Sequence, residues 1–250
     1  MTLVRSRPMA PLRSLAGQRV VVIGGSAGIG LETARLACVD GADVTLTGRD
    51  RDRLEAAAAD VGAQSTAVFD ASDADALSQF FHDLPTPIDH VMVTAGAPHY
   101  APPLEMEPDE ARSALADKLV LTLQVAQQSV GRVRSAGSLV CGGGTGGRRP
   151  RPGLAVFGAV TLALPALIAS LALDLAPIRV NLIAPGFVDT PLSARLLGDD
   201  LEKRREELRT TLPIGRVVGP DDVASLAVHL MVNTALTGAT YDIDGGQQLL

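Results

Sequence analysis

The sequence predicts an α/β fold in which a single doubly wound domain is built on a sheet of about seven parallel strands with helices on both faces. Short β-branched runs alternate with helical patterns from Arg19 to the end of the chain, and this alternation is typical of repeated βαβ units. Hydrophobic residues make up 46% of the chain and aromatic residues only 3%. This composition indicates parallel strands of small aliphatic residues covered on both sides.

The pattern predicts strands at residues 19–23, 44–47, 65–69, 90–94, 138–141, 179–183 and 240–243. It predicts helices at residues 29–39, 51–61, 74–83, 109–130, 154–175, 199–211 and 221–232. No linker divides these elements, so we expect one domain at 19–250 after an N-terminal extension at 1–18. Residues 142–147 and the long connection at 185–198 follow strands, and loops at that edge of a parallel sheet form the ligand crevice.

Composition and charge exclude several classes of function. The net charge of −6 and the scarcity of aromatic residues argue against nucleic-acid binding. The two cysteines and four histidines show no metal-ligand spacing, so no metal site is expected. The longest apolar stretch, 154–173, contains Gly158 and Pro165 and is interpreted as a buried helix rather than a membrane span. We therefore expect a cytoplasmic protein with no membrane partner.

A glycine-rich turn follows the first predicted strand and opens the first predicted helix. Gly24, Gly28 and Gly30 lie in this turn, where glycines let backbone N–H groups approach a pyrophosphate closely. The helix N-terminus adds roughly half a positive charge. The strand–turn–helix context makes this a Rossmann-type dinucleotide site rather than a simple tight turn.

The spacing of these glycines resembles the short-chain dehydrogenase/reductase family, and the resemblance extends over most of the chain. Asp70 matches the family's adenine-contacting Asp, and Ala95-Gly96 matches the second half of its Asn-Asn-Ala-Gly motif, with Val93 and Thr94 in place of the two Asn. Arg179-Val180-Asn181 and Pro185-Gly186 with Thr190 match the stretch that, by this resemblance, clasps the nicotinamide end of the cofactor. Asp244-Gly245-Gly246 matches the exit of the family's last strand. The predicted cofactor site comprises Gly24, Ser26, Gly28, Ile29, Gly30, Arg49, Asp70, Ala71, Ala95, Gly96, Pro185, Gly186, Val188 and Thr190.

The end of the second strand predicts which nicotinamide cofactor binds. NAD-dependent members usually place an acidic residue there, whereas this chain has Gly48 followed by Arg49. A guanidinium can pair with a 2′-phosphate, and glycine leaves room for that phosphate. The prediction is therefore NADP(H), with the alternative that Arg49 merely caps a solvated helix start beside Arg51 and Arg53.

The residues that the resemblance implies for catalysis are all replaced. The family uses a Tyr-x3-Lys pair with an upstream Ser and Asn, and here Phe157 occupies the Tyr position and Thr161 the Lys position. Gly143 or Gly144 occupies the Ser position, and Lys118 the Asn position. Phenylalanine has no proton to give to an alkoxide. Ordinary alcohol and ketone chemistry is therefore doubtful.

Other groups are hypothetical replacements for the missing acid. Lys118 and Thr145 are the predicted catalytic residues, and His99 and Tyr100 lie in the loop after the fourth strand. Cys141 is interpreted as a buried inert thiol because no cation adjoins it in sequence. Arg148, Arg149 and Arg151 are either a solvated loop or a site for an anionic substrate.

Two functions remain open from the sequence. The first is an atypical NADP(H)-dependent oxidoreductase acting on an unknown small molecule, such as an imine or enone. The second is a non-redox protein of the same fold, namely a cofactor-binding scaffold, a sensor or a cyclase-like enzyme. The resemblance also implies a homodimer or homotetramer in which the helices at 119–130 and 154–175 pair across a two-fold axis.

Overall fold

Seven parallel strands form one sheet with the order β3-β2-β1-β4-β5-β6-β7. The computed structural model describes residues 14–96, 98 and 102–250. The strands are β1 (Arg19–Ile23), β2 (Asp43–Gly48), β3 (Ser65–Val68), β4 (Ile88–Val93), β5 (Val133–Gly142), β6 (Arg179–Pro185) and β7 (Thr240–Ile243). The helices are α1 (Gly28–Val39), α2 (Arg51–Val61), α3 (Ala74–Asp83), α4 (Pro108–Ser129), α5 (Ala155–Asp174), α6 (Pro191–Leu197), α7 (Leu201–Thr211) and α8 (Pro220–Val232). The predicted fold class is confirmed.

The two faces of the sheet carry two separate apolar layers. Side chains alternate along β1, so that Val20 and Val22 pack with α1, α2 and α8 on one face. Val21 and Ile23 pack with α3, α4 and α5 on the other face. This period of two follows from the pleat of a strand. It explains why the central strands are continuously hydrophobic, as expected for a sheet buried on both sides.

The connection after β6 differs from the prediction of a long loop. Helix α6 occupies Pro191–Leu197, and the Thr190 side chain caps it by accepting a hydrogen bond from the Ser193 N–H (3.3 Å). Proline at the first helical position and glycine just after the end are ordinary helix boundaries. Strand β5 also begins earlier than predicted, at Val133. Its first residues are irregular, with a register shift against β4 and a positive φ at Ala136, and this hid the strand pattern.

The described part of the predicted N-terminal extension packs against the domain. Leu15 is fully buried in the layer that contains α1 and α2. Its backbone N–H donates to the carboxylate of Asp40 at 2.7 Å. The boundary at residue 18 therefore remains a prediction, and residues 14–18 contribute to the core.

Helix α5 is buried on one side only, which differs from the buried helix that we predicted. Gly158, Leu164 and Ile168 are among its buried residues, whereas Leu162 and Leu173 are exposed. The helix continues through Pro165. In the described part of the chain, α5 is the one helix that is long and apolar enough to cross a membrane. Its buried side, however, belongs to the apolar layer on one face of the sheet.

Candidate functional site

The strand order places a cleft between the ends of β1 and β4. From β1 the chain continues toward β2 on one side of the sheet, and from β4 it continues toward β5 on the other side. Connections from these two strands diverge to α1 and α4, and this switch point is where doubly wound sheets bind ligands. The N–H groups of Thr94 and Ala95, just after β4, both donate to the carbonyl of Ile23 at 2.9 and 3.0 Å. The ends of β1 and β4 are therefore locked together at the floor of the cleft.

The glycines of the first turn are required by backbone contacts. A side chain at Gly24 would bring its Cβ within 2.7 Å of the Ala95 nitrogen, and the φ of Gly24 is +95°. A side chain at Gly30 would collide with the Gly24 carbonyl and with Thr94. The Thr94 hydroxyl donates to the Gly24 carbonyl at 2.9 Å. The turn therefore packs against the exit of β4 with no room for a side chain at Gly24 or Gly30.

The N-terminus of α1 points into this cleft without a side-chain cap. Ala27 is the N-cap residue, and among the described residues no side chain accepts a hydrogen bond from the N–H groups of the first helical turn. Those groups have no partner within the helix. Together with Ser26, Ile29 and the positive end of the helix dipole, they suit an anionic group such as a pyrophosphate.

The segment Pro185–Thr190, which we call the clasp, forms the opposite wall of the cleft. Thr190 lies beside Gly28, since a Cβ built at Gly28 would be 3.4 Å from the Thr190 side chain. Val188 is buried and pairs with Val218 in a parallel bridge. The Gln247 side chain accepts a hydrogen bond from the Phe187 N–H at 2.9 Å. A residue near the C-terminus, Gln247, thus anchors the clasp.

The far end of the cleft contains the residues predicted for the adenosine. A Cβ at Gly48 would lie 3.3 Å from the Ser26 hydroxyl oxygen, so only a small residue fits there easily. Arg49 is exposed, and its guanidinium lies 3.7 Å from an Asp70 carboxylate oxygen. The N–H and hydroxyl of Ser72 donate to Asp70 and lower the pKa of its carboxyl, and Arg49 adds a smaller effect in the same direction. Ala71 follows Asp70 in the turn after β3 and is partly buried.

The three positions predicted for Ser, Tyr and Lys come together in space. A Cβ at Gly144 would lie 3.3 Å from the Phe157 ring and 3.4 Å from the Thr161 methyl group. Phe157 and Thr161 lie one turn apart on α5, and the loop after β5 passes over both. The three positions that the resemblance implies are therefore neighbours in space, but none of these three residues supplies an acid or a base.

Three backbone N–H groups of the glycine loop 142–147 are bonded to other parts of the protein. The N–H groups of Gly143 and Thr145 donate to the carbonyls of Ile183 (2.8 Å) and Pro185 (3.1 Å). The Gly147 N–H donates to the Thr161 hydroxyl at 2.9 Å, and that hydroxyl donates to Gly158. The Thr145 hydroxyl is buried and its oxygen lies 3.5 Å from the Pro185 carbonyl oxygen. Thr145 therefore faces the clasp.

Lys118 projects from α4 to the floor of the cleft. Its ammonium donates to the Ala95 carbonyl at 2.7 Å, and its stem lies 3.1 Å from a Cβ built at Gly96. Burial lowers the pKa of Lys118 to about 8. The ammonium still predominates at neutral pH but loses its proton readily. Among the described residues, Lys118 and Thr145 share no hydrogen bond.

The remaining sequence hypotheses have different outcomes. Burial raises the pKa of the Cys141 thiol to about 11, only partly opposed by the charge of Lys118, so the thiol stays protonated at neutral pH. Arg148 forms an ion pair with Asp242 on β7, which makes it part of the packing between the loop and the sheet. His99 and Tyr100 lie outside the described residues. Within 14–96, 98 and 102–250, no cluster of His, Cys, Asp and Glu is suited to a metal.

Comparison with known proteins decides the family. Residues 24–248 match the family described as enoyl-(acyl carrier protein) reductase. Carbonyl reductase family member 4 of Xenopus tropicalis is 31% identical over 241 residues, which cover 91% of this chain and 97% of that protein. The chain belongs to the short-chain dehydrogenase/reductase family.

Solved structures of other short-chain dehydrogenases/reductases agree with this fold. The MalC reductase/Diels-Alderase of Malbranchea aurantiaca superimposes with a TM-score of 0.87 at 26% identity, over 94% of this chain and 98% of that one. A small-chain dehydrogenase in complex with NADPH gives a TM-score of 0.79 at 26% identity, over 94% and 100% of the two chains. The chain is thus an oxidoreductase-family member along nearly its whole length.

Sequence reasoning missed some contacts at this short-chain dehydrogenase/reductase cleft. Gln247 was not singled out, although it directly follows the Asp244-Gly245-Gly246 match. The sequence pattern also predicts no role for Asp189, which lies within the predicted connection at 185–198. Its partner Arg205 is 16 residues away on α7, and a sequence pattern does not pair residues across such a distance.

Proposed function

We propose that this protein is an NADP(H)-dependent reductase of a small molecule, in which Lys118 supplies the proton that a tyrosine gives elsewhere in the family. The observation that carries the proposal is the Lys118 ammonium, which has a pKa of about 8 and is held 2.7 Å from the Ala95 carbonyl. Phe157, by contrast, has no proton to give.

The residues of the cleft fit a nicotinamide dinucleotide. The uncapped α1 suits the pyrophosphate, and Asp70 is available to the adenine. Arg49 is 72% exposed and bound only loosely to Asp70, so its guanidinium is available for a 2′-phosphate. Gly48 adds no carboxylate that would repel that phosphate. The NADPH bound to a solved relative supports the same choice.

The cofactor, when bound, supplies a hydride, and the protein orients the reactants and moves the proton. An ammonium near the substrate stabilises negative charge that develops on an enolate oxygen during enone reduction. An imine is a weaker fit to charged Lys118, because the ammonium repels an iminium cation. Neutral Lys118, above pH 8, removes this repulsion.

Turnover assays test the proposal. NADPH oxidation is measured with panels of enones, imines and ketones for the wild type, Lys118→Met and the control Lys203→Met. Lys203 is the other lysine of the chain and lies exposed on α7. We expect enone turnover that decreases as pH rises through about 8 and that is lost in Lys118→Met only. Full turnover in Lys118→Met would instead make Lys118 structural, and Thr145 would be the next acid to test.

The alternative is a non-redox protein that keeps the nucleotide as a scaffold, sensor or cyclase-like enzyme. The contact between the glycine loop and Phe157 favours it, because a Cβ at Gly146 would overlap the ring. This loop covers the position from which the family's tyrosine acts. Tight NADPH binding without turnover on any panel, at any pH, distinguishes this alternative from the reductase.

We also propose a homodimer or homotetramer located in the cytoplasm. Helices α4 and α5 lie side by side on one face of the sheet. Their exposed apolar side chains include Leu115, Val120, Leu123, Leu162 and Leu173. A second copy would bury these side chains across a two-fold axis.

A further inference from the structure

Helices α6 and α7 follow the clasp and are weakly anchored by apolar packing. None of the residues of α6 is buried, and Leu208 is the buried residue of α7. Hydrophobic burial therefore contributes little to holding this segment against the domain. Polar contacts must determine where it lies relative to the cofactor cleft.

Two consecutive arginines of α7 contact the clasp on either side of Val188. The Arg205 guanidinium binds Asp189 through two hydrogen bonds, from Nε at 2.9 Å and from Nη2 at 2.7 Å. The guanidinium carbon of Arg204 lies 6.0 Å from the centre of the Phe187 ring. Two-point pairing fixes both distance and orientation. Its hydrogen bonds to Asp189 raise the pKa of Arg205.

Asp189 connects this ion pair to the cofactor cleft. The next residue, Thr190, caps α6 and faces Gly28 at the phosphate-binding turn. A shift of Asp189 therefore changes the gap between Thr190 and Gly28, where the two walls of the cleft approach each other.

We propose that Arg205 is a positioning residue for the clasp, and that its ion pair with Asp189 sets the affinity for the nicotinamide half of the dinucleotide. This inference rests on the cofactor site of the proposed function. Arg205 itself does not reach the cofactor and acts through Asp189 and Thr190.

We expect the fold to tolerate loss of this ion pair. The Asp189 N–H also donates to the Val218 carbonyl at 3.0 Å, so the clasp backbone keeps one anchor without Arg205. Both side chains are about one-third exposed. We therefore expect Arg205→Met to fold and to leave the clasp mobile.

The experiment compares a whole cofactor with half of it. Calorimetry measures the binding of NADPH and of adenosine 2′,5′-bisphosphate, which lacks the nicotinamide half, to the wild type, Arg205→Met and Arg209→Met. Arg209 is the matched control because it lies one turn further along α7 and, among the described residues, pairs with Glu202, which Arg205 also contacts, and with Glu206. Hydrogen exchange of residues 188–193 is followed in the ligand-free proteins.

We expect Arg205→Met to bind NADPH about three- to tenfold more weakly, as for a partly exposed two-point ion pair. Its affinity for adenosine 2′,5′-bisphosphate should not change, and exchange at 188–193 should become faster. Arg209→Met should match the wild type in all three measurements.

Two results would overturn the inference. One is equal weakening of both ligands, which indicates a general loss of structure, and the other is an Arg205→Met protein that behaves like Arg209→Met. If the wild type binds neither ligand, the proposed cofactor site is wrong. Exchange at 188–193 in the ligand-free proteins then still decides whether Arg205 positions the clasp.

Discussion

Two glycine-rich segments leave the same edge of the sheet, and they have different roles. The turn after β1 packs glycine against backbone, and the N–H groups at the start of α1 keep no side-chain partner in the described structure. The loop after β5 packs glycine against Phe157 and α5, and the N–H groups of Gly143, Thr145 and Gly147 are all bonded within the protein. Free backbone donors indicate a ligand site, whereas satisfied donors indicate packing. Glycine content alone does not distinguish the two.

The largest expected effect comes from disrupting the first segment. Gly30→Ala places a methyl group against the Gly24 carbonyl and Thr94, and overpacking of this kind costs about 1–3 kcal/mol or more. Calorimetry should show NADPH affinity reduced by up to about a hundredfold, since the turn must move to accommodate the methyl group. Gly62→Ala, at an open position with φ +73°, is the control for a local backbone cost. Normal NADPH affinity in Gly30→Ala would contradict the assignment of this turn.

Arg49→Ala tests the adenosine end of the same region. We expect the preference for NADPH over NADH to decrease by about 10- to 100-fold, because charge-assisted hydrogen bonds to a phosphate contribute about 1.5–3 kcal/mol. Fluorescence titration with both cofactors measures the ratio. Arg51→Ala is a matched control, since Arg51 is similarly exposed and pairs with Glu55 on α2. An unchanged ratio for Arg49→Ala would show that another group selects the cofactor.

The loop after β5 should prevent a simple restoration of the family's alcohol and ketone chemistry. Secondary alcohols and ketones should turn over slowly or not at all with the wild type, and Phe157→Tyr with Thr161→Lys should add only slight activity. The double variant removes the hydroxyl that accepts the Gly147 N–H, so the loop loses its anchor on α5. Robust pH-dependent alcohol oxidation by the wild type would refute this prediction.

Thr161→Val isolates the structural role of that hydroxyl. Valine has a similar shape but leaves the Gly147 N–H without its partner, which costs about 1–3 kcal/mol. Denaturant unfolding should show a decrease of this size in the free energy of unfolding, with NADPH affinity unchanged. A loss of NADPH affinity alone, at full stability, would instead place Thr161 at the cofactor.

Substitutions on the outer faces of α4 and α5 are expected to have the smallest effect on NADPH binding. Leu173→Glu places a charge on a side chain that is 80% exposed, and in the proposed oligomer this charge lies in an apolar interface. Light scattering should show a lower mass for the variant than for the wild type, with NADPH affinity retained. A wild type that is monomeric at micromolar concentration would contradict the proposed assembly.

The sequence pattern predicted most strands and helices, the parallel sheet and the first turn. These follow from short-range periodicity: strands β1 and β7 and helices α2 and α3 have the predicted bounds. The spacing of Gly24, Gly28 and Gly30 identified the turn, because glycine is needed where another backbone segment approaches the turn closely. The convergence of Gly144, Phe157 and Thr161 followed from the resemblance.

Contacts between side chains that are far apart in sequence became visible only in the folded structure. Arg148 and Asp242 are 94 residues apart, and Lys118 and Ala95 are 23 residues apart. Such pairs leave no periodic pattern, because the crossing of strands and helices brings them together rather than local backbone geometry. The pKa of Lys118 likewise depends on burial by distant elements. The sequence could nominate Lys118, but its contact with Ala95 became visible only in the fold.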